Sequence, residues 1–274
     1  MQKIKNSIYA RQARNPRKPS FRSPFSRGLI SKRHWHQITL ARPVIGRLSL
    51  TGLLALAGIA APFLLLAADF AVAQSAPNYN LIRDSISSLA WTRMGWILTV
   101  AFLITGLLVE VFTAGLFLGI HREQGFGLGL ILLACFGFGL LLIGAFRTDV
   151  PGLPPTVDGK IHGIVANTVF LLLPVANLLF APSLKAKYWR PLFVYSIIAA
   201  LFAIIWIAIY RLLLPVELSW FGLYERILVV AEVVWVEVMA IWLLRLSLRL
   251  VRTTHPAFAI PAYQAVDDRL SLEV

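Results

Sequence analysis

Two side chains open the chemical reading. Asp158 and His162 stand four residues apart, the spacing at which a helix puts both on one face. On one face, a carboxylate can orient and polarise the imidazole, as in metal sites and general-base pairs. The competing role for Asp158 is local: Thr156 can cap the helix that follows, and a carboxylate in its first turn is favoured by the helix dipole. The same stretch, Phe146 to Gly163, adds Arg147, Asp149 and Lys160. Arg147 and Asp149 can pair with each other or meet lipid headgroups. A single histidine among scattered carboxylates lacks the spacing of a zinc motif. If a metal binds, His162, Asp149 and Asp84 are its ligands; no cofactor is specified.

A second polar segment reads Tyr79-Asn-Leu-Ile-Arg-Asp-Ser-Ile-Ser-Ser-Leu-Ala90. Ile82, Ile86 and Leu89 recur at helical spacing, which predicts a short interfacial helix. Arg83/Ser87 and Asp84/Ser88 then form i,i+4 pairs on its polar side. Ser85 and Ser87 supply hydroxyls to any site there.

The elements that must position these residues are membrane spans. The chain of 274 residues is 58% hydrophobic and only 14% charged, against about 25% charged in ordinary soluble domains. Six apolar runs lie at about 48–73, 95–119, 126–146, 163–182, 191–214 and 227–248. Each is long enough to cross a hydrocarbon core about 30 Å thick as a helix. Lipid offers the backbone no partners, and the runs lack period-two alternation, so helices are required. The fold class is an all-α six-helix transmembrane bundle. Its domain limits are a basic tail at 1–47, the bundle at 48–250 and a loose tail at 251–274.

Twelve Lys/Arg and no acid fall in residues 1–47. This Arg-, Ser- and Pro-rich segment reads as a disordered cytoplasmic tail touching anionic lipid headgroups, each basic residue contributing about 1 kcal/mol. Its composition is also that of an organelle transit peptide. The protein then belongs to the cell membrane in the first case and to an organelle membrane in the second. Nothing beyond charge points to nucleic acid. With the N-terminus inside, inner segments hold 20 Lys/Arg and outer segments six. That bias places both termini in the cytoplasm and both polar segments outside. Trp91, Trp96, Tyr188, Trp189, Tyr210, Trp220 and Tyr224 suit an aromatic belt. Gly115/Gly119 and Gly125/Gly129 flank a very short connection and predict close packing of the second helix on the third. Cys135 is the only cysteine, which excludes an intrachain disulfide.

Asp69, Glu110, Glu232 and Glu237 lie within the spans. Each must face the interior and find a partner. Asp69 and Glu232 sit towards the outer ends and can join the outer polar cluster. Glu110 lies deeper, with a proton relay or a hydrogen bond to Thr105, Asn167 or Asn177 as its alternatives.

Three pieces together, Tyr79 to Leu89, the glycine-rich helix ending Phe-Arg-Thr-Asp149, and Gly159-Lys-Ile-His162, resemble the DUF998 family of uncharacterised multi-pass membrane proteins. The resemblance spans about 75–245, leaving out the first span. By position it implies Asp84, Ser87, Asp149 and His162 as site residues. Ser88 departs from it, standing where many members carry Asp or Glu. The resemblance implies a fold and no activity.

Three functions compete. One is a non-catalytic membrane protein binding lipid or a partner through its outer face. Another is a lipid-headgroup hydrolase or transferase, with His162 and Asp149 or Asp84 as metal or base site and Arg147 holding a phosphate. The third is a proton- or ion-coupled carrier using Glu110 and Glu237. The sequence leaves open whether the protein is an enzyme, and its oligomeric state.

Overall fold

The computed structural model describes residues 44–45, 48–150, 152–213 and 219–254. The basic tail before residue 44 and the end after 254 lie outside the described residues. The strands β1 (Val44–Ile45) and β2 (Leu48–Ser49) form a minimal antiparallel pair, Val44 opposite Ser49. Six long helices follow: α1 (Leu50–Ser75), α2 (Gly95–Gly119), α3 (Phe126–Ala145), α4 (Val157–Phe180), α5 (Pro191–Leu213) and α6 (Phe221–Thr254). Each contains a stretch long and apolar enough to cross a membrane. Short 3-10 helices cover Ile86–Trp91 and Ala181–Lys185.

Two helix starts bear on the site. The fourth helix begins at Val157, directly after the Thr156 cap and six residues before the apolar run at 163. Thr156 caps it, its hydroxyl accepting from the Gly159 amide at 3.0 Å. The sixth begins at Phe221, not 227, and runs on to Thr254. Glu225 and Arg226 therefore belong to a helix, not to a connection.

Each helix packs on the next, and α6 closes the ring against α1 while also touching α2 and α4. Ser49 joins the two ends of the chain: its hydroxyl caps α1 at Gly52 and meets the Ser247 hydroxyl of α6 at 2.5 Å. The core runs along the inside of the ring. Trp235 is fully buried, stacks on Phe180 at 5.9 Å and donates to the Ser196 hydroxyl at 2.9 Å. Outside, Phe63, Phe70, Phe138 and Ile198 are exposed, as a lipid-facing surface requires. Of the predicted aromatic belt, Trp91, Trp96 and Tyr188 are exposed, but Trp189 and Tyr224 are buried in the protein.

The contact of α2 with α3 is made by glycines other than those expected. A Cβ at Gly106 would come within 2.7 Å of the Gly137 carbonyl, and one at Gly144 within 3.1 Å of the Thr99 carbonyl. Gly115 and Gly119 face Leu243 of α6, with Leu54 of α1 also against Gly115. Gly125 and Gly129 face Leu179 of α4. The glycines near the turn lie around the ring from the α2–α3 seam, and the seam is closest deeper in the bundle. Gly125 has a second role, entering α3 at φ 88°, which a side chain would strain.

Gly137→Leu is expected to lower the yield and melting temperature of detergent-solubilised protein. Gly127→Ala, where a Cβ meets nothing within 4 Å, should leave both unchanged. Equal stability of the two variants would show that α2 and α3 do not meet at this seam.

Candidate functional site

The site lies at the end of the bundle where the connections 76–94 and 146–156 meet. Its frame is built on Arg226. This side chain is mostly buried and forms a two-pronged ion pair with Asp69 of α1, Nε to Oδ2 at 3.1 Å and Nη2 to Oδ1 at 3.0 Å. Nη2 also donates to the Tyr79 hydroxyl at 2.6 Å. Nη1 reaches the carbonyls of Leu81, Asp84 and Gly222 at 2.9, 3.0 and 3.2 Å. A guanidinium has five N–H groups, and six acceptors surround this one. Its planar fork suits such a site; an ammonium does not.

The connection is thereby moulded onto the start of α6. The amides of Gly222 and Leu223 donate to the carbonyls of Arg83 and Ile82, and a Cβ at Gly222 would overlap the Asp84 carbonyl. Glu225 accepts from the Ile86 amide at 2.7 Å. The Tyr79 hydroxyl donates to the carbonyls of Asp84 and Ser85 at 3.0 and 2.8 Å. Burial pushes this phenol up to about 12 although Arg226 beside it acts in the other direction.

These bonds explain why the expected interfacial helix is shorter than its apolar spacing suggests. The carbonyls of residues 81–85 are taken by Arg226, Tyr79 and α6, so the chain there stays in turns. Ser85 caps the 3-10 helix that starts at Ile86. Ile86 and Leu89 are buried, but Ile82 is exposed. The pairs Arg83/Ser87 and Asp84/Ser88 do not form. Ser88 donates back to the Ser85 carbonyl at 2.7 Å, and Arg83 pairs with its neighbour Asp84 at 2.6 Å. Asp84 also accepts from the Asn80 amide at 2.8 Å. The Arg83 guanidinium holds the Asp84 carboxyl below its usual range.

In the second connection, Asp149 accepts from both the amide and the hydroxyl of Thr156, at 2.9 and 2.7 Å, which lowers its pKa. It clasps the start of α4, with Gly159 leaving room for its carboxylate. Arg147 pairs with neither Asp149 nor Asp84. Its guanidinium lies over the Trp91 ring, 5.8 Å from the centroid, a cation–π contact. Trp91 in turn donates to the Thr148 carbonyl at 3.0 Å, tying the two connections together.

His162 is buried, and its Nδ1 lies 2.8 Å from the Phe146 carbonyl. A carbonyl only accepts, so Nδ1 carries a hydrogen. Asp158, one turn earlier, is exposed. The imidazole is therefore oriented by the end of α3, not by Asp158.

Beside His162 opens a cleft of about 280 Å³ between α4, α5, α6 and the first connection. Ser85, Ser87, His162 and Glu225 line its polar side, and Phe170, Ile207 and Leu228 its apolar side. Arg211 and Asn167, hydrogen-bonded to each other, line it as well. Among the site residues read from sequence, Ser85, Ser87 and His162 come together in this cleft. Arg147 shares an adjoining pocket with Ser87 and His162. Asp84 and Asp149 do not line these walls; each is engaged by its own connection. Among the described residues no group of three His, Cys, Asp or Glu side chains can hold a metal.

The remaining intramembrane acids separate. Asp69 is paired with Arg226, and both Glu232 oxygens are buried without a hydrogen-bond partner. Glu110 Oε1 lies where a Cβ on Gly137 would approach within 2.8 Å. Of its expected partners, Thr105 donates to the Ala61 carbonyl and Asn167 to the Gly163 carbonyl, while the Asn177 oxygen has no partner. Glu110 and Glu237 are half-buried and lie on different helices.

The chain matches the family described as "Protein of unknown function (DUF998)" over residues 59–242. It is a member of that family. The match covers α2 to α5 and enters both α1 and α6, so the first span belongs to the shared unit, contrary to the shorter resemblance read from sequence. Asp69 and Arg226 both fall inside it. No curated protein and no solved structure matches the chain.

Sequence reasoning missed Arg226, Tyr79 and Gly222. The available signal was Asp69: an acid in a span needs a cation at the same end of the bundle, and Arg226 lies five residues past the start of α6.

Arg226→Ala is expected to destabilise the protein by about 3–5 kcal/mol, since Asp69 is left buried and unpaired, and Arg226→Lys should not restore it. The Tyr79 phenol gives a pH test. Its folded pKa of about 12 exceeds its ordinary 10.0, so the folded state holds the proton more tightly. That stability is fully present below pH 10.0 and is lost as pH rises towards about 12. Tyr79→Phe should be less stable at neutral pH but lose less between those two values; a parallel loss in both proteins would contradict the assignment.

Proposed function

We propose that this multi-pass membrane protein is a non-catalytic binder of an anionic amphiphile, held in the cleft between α4, α5 and α6. One observation carries the reading: a single cleft joins a polar mouth, where Arg211 and Asn167 stand with His162 and Glu225, to an apolar wall of Phe170, Ile207 and Leu228. A lipid offers the matching pair of surfaces, a charged headgroup and an acyl chain. A guanidinium suits phosphate or carboxylate. The hydrolase or transferase reading needs Asp84 or Asp149 beside His162, and both carboxylates are engaged elsewhere. The protein resides in this reading in the cell membrane, with the site on the extracytoplasmic side and the basic tail on anionic lipid inside.

The test uses purified protein in uncharged detergent, titrated with short-chain phosphatidylglycerol carrying bromine on its acyl chain. Trp206 donates to the Tyr224 carbonyl at the cleft wall, so its fluorescence should be quenched saturably. Arg211→Ala should weaken binding about tenfold, the loss of one charge-assisted hydrogen bond of ~1.5 kcal/mol. Unsaturable quenching, or equal affinity in the variant, would refute the reading. Orientation is tested separately. In a Cys135→Ser background, a cysteine at Thr156 should react with an impermeant thiol reagent applied to whole cells, and one at Lys187 should not.

A further inference from the structure

Beside the cleft lies a second, smaller cavity of about 30 Å³. The two share Ser87, His162 and Glu225 together with the apolar Ala166 and Phe170, so polar and apolar side chains both stand between them. The walls of the second cavity are otherwise apolar, with Phe102, Phe136 and Leu140 from α2 and α3, except at Glu232. Glu232 is 3% exposed, and neither carboxyl oxygen has a hydrogen-bond partner. It is eleven residues into α6, about 16 Å along the axis from the helix start, within the stretch long and apolar enough to cross a membrane. Glu225 and Glu232 are seven residues apart, so both project from the same face of α6.

An ionised carboxylate cannot stand unpaired in such surroundings without a cost of several kcal/mol, and no protein group offers a hydrogen bond. A cavity of this size has room for one or two waters. The charged and titratable groups facing it are few. Glu225 is on the same helix and His162 on α4, while Asp69 and Arg226 beyond Glu225 neutralise each other. The α2 and α3 walls contribute none. Deeper along α6, Trp235 and Met239 are fully buried.

We infer that Glu232 is a proton-binding site inside the membrane-spanning bundle, reached from the cleft past Ser87, His162 and Glu225. The ligand is the proton, delivered by water. No bond other than O–H is made or broken: the proton arrives from cleft water on the Glu232 carboxylate and leaves by the same route. This site does not require the cleft to bind lipid, and its test contains no amphiphilic ligand beyond the bilayer.

The experiment is infrared difference spectroscopy on full-length protein carrying ¹³C-glutamate, in nanodiscs of zwitterionic lipid, across a pH series and after transfer to D₂O. A protonated glutamate carboxyl band should appear, shift on transfer to D₂O, and be lost in Glu232→Gln. Ser87→Leu, which adds bulk between the two cavities, should keep the band but slow its shift. If Glu232→Gln fails to fold, the triple variant Glu110→Gln, Glu225→Gln, Glu237→Gln makes the assignment, because Glu232 is then the one buried glutamate left among the described residues, and Asp69 carries no ¹³C label. A band that persists in Glu232→Gln, its absence from the triple variant, its absence at every pH, or a band inert to D₂O would overturn the proposal.

Discussion

One guanidinium holds the cleft end of this bundle in shape. Arg226 brings a cation into a chain poor in charge and surrounds it with six acceptors from three places: Asp69 of α1, the connection at 79–84, and its own helix. A buried charge is tolerable only when paired and fully hydrogen-bonded. That requirement fixes where α1 and α6 meet and which carbonyls the connection must turn inward. Ser85 and Ser87 reach the cleft because the segment before them is pinned. Glu225, the neighbour of Arg226, is directed to the Ile86 amide and the cleft wall. Without this clamp the helices would still be apolar spans, but the polar residues would have no common surface.

The two ends of the ring differ in how they are held. At the middle and far end, close packing dominates: Trp235 on Phe180, Phe180 edge-on to Phe126, and the glycine seam of α2 with α3. At the site end, hydrogen bonds to backbone carbonyls dominate, and packing is looser around α5. That looseness leaves the cleft. Polar groups there are satisfied by the protein at the rim, while Glu232 is not. The passage from a saturated cation to an unsaturated acid within two turns of one helix is the main chemical gradient of the structure.

Much of the fold was legible in sequence because lipid leaves so few alternatives. Length and apolarity alone located six helices, and the Thr156 cap was visible as a residue type. Helix starts were less legible: Phe221 to Arg226 reads as a polar approach to a span, since its two charges depress local hydropathy. Their partners lie about 140–160 residues away in the chain, beyond any local pattern. The site was half legible. His162 and Ser87 were identified by type and position, and they do share a cleft. Asp84 and Asp149 were identified the same way, but short-range partners, Arg83 and Thr156, occupy them. Spacing gives the face of a residue; it does not say which neighbour takes its hydrogen bonds. The glycine pairs failed for a related reason, since small residues mark a contact without naming the helix on the other side.

The ring closure has a consequence for how the protein is made. Asp69 and Tyr79 leave the ribosome early, and their cation arrives only with the last helix. Until α6 is inserted, the first span carries an acid with no partner in lipid, held against its preference by the surrounding hydrophobic residues. The first span is therefore completed only by the last, and a product truncated between residues 69 and 226 exposes the same uncompensated charge. Membrane quality control that senses a lone intramembrane acid would recognise every such fragment by one mark, and would lose sight of it once Arg226 docks.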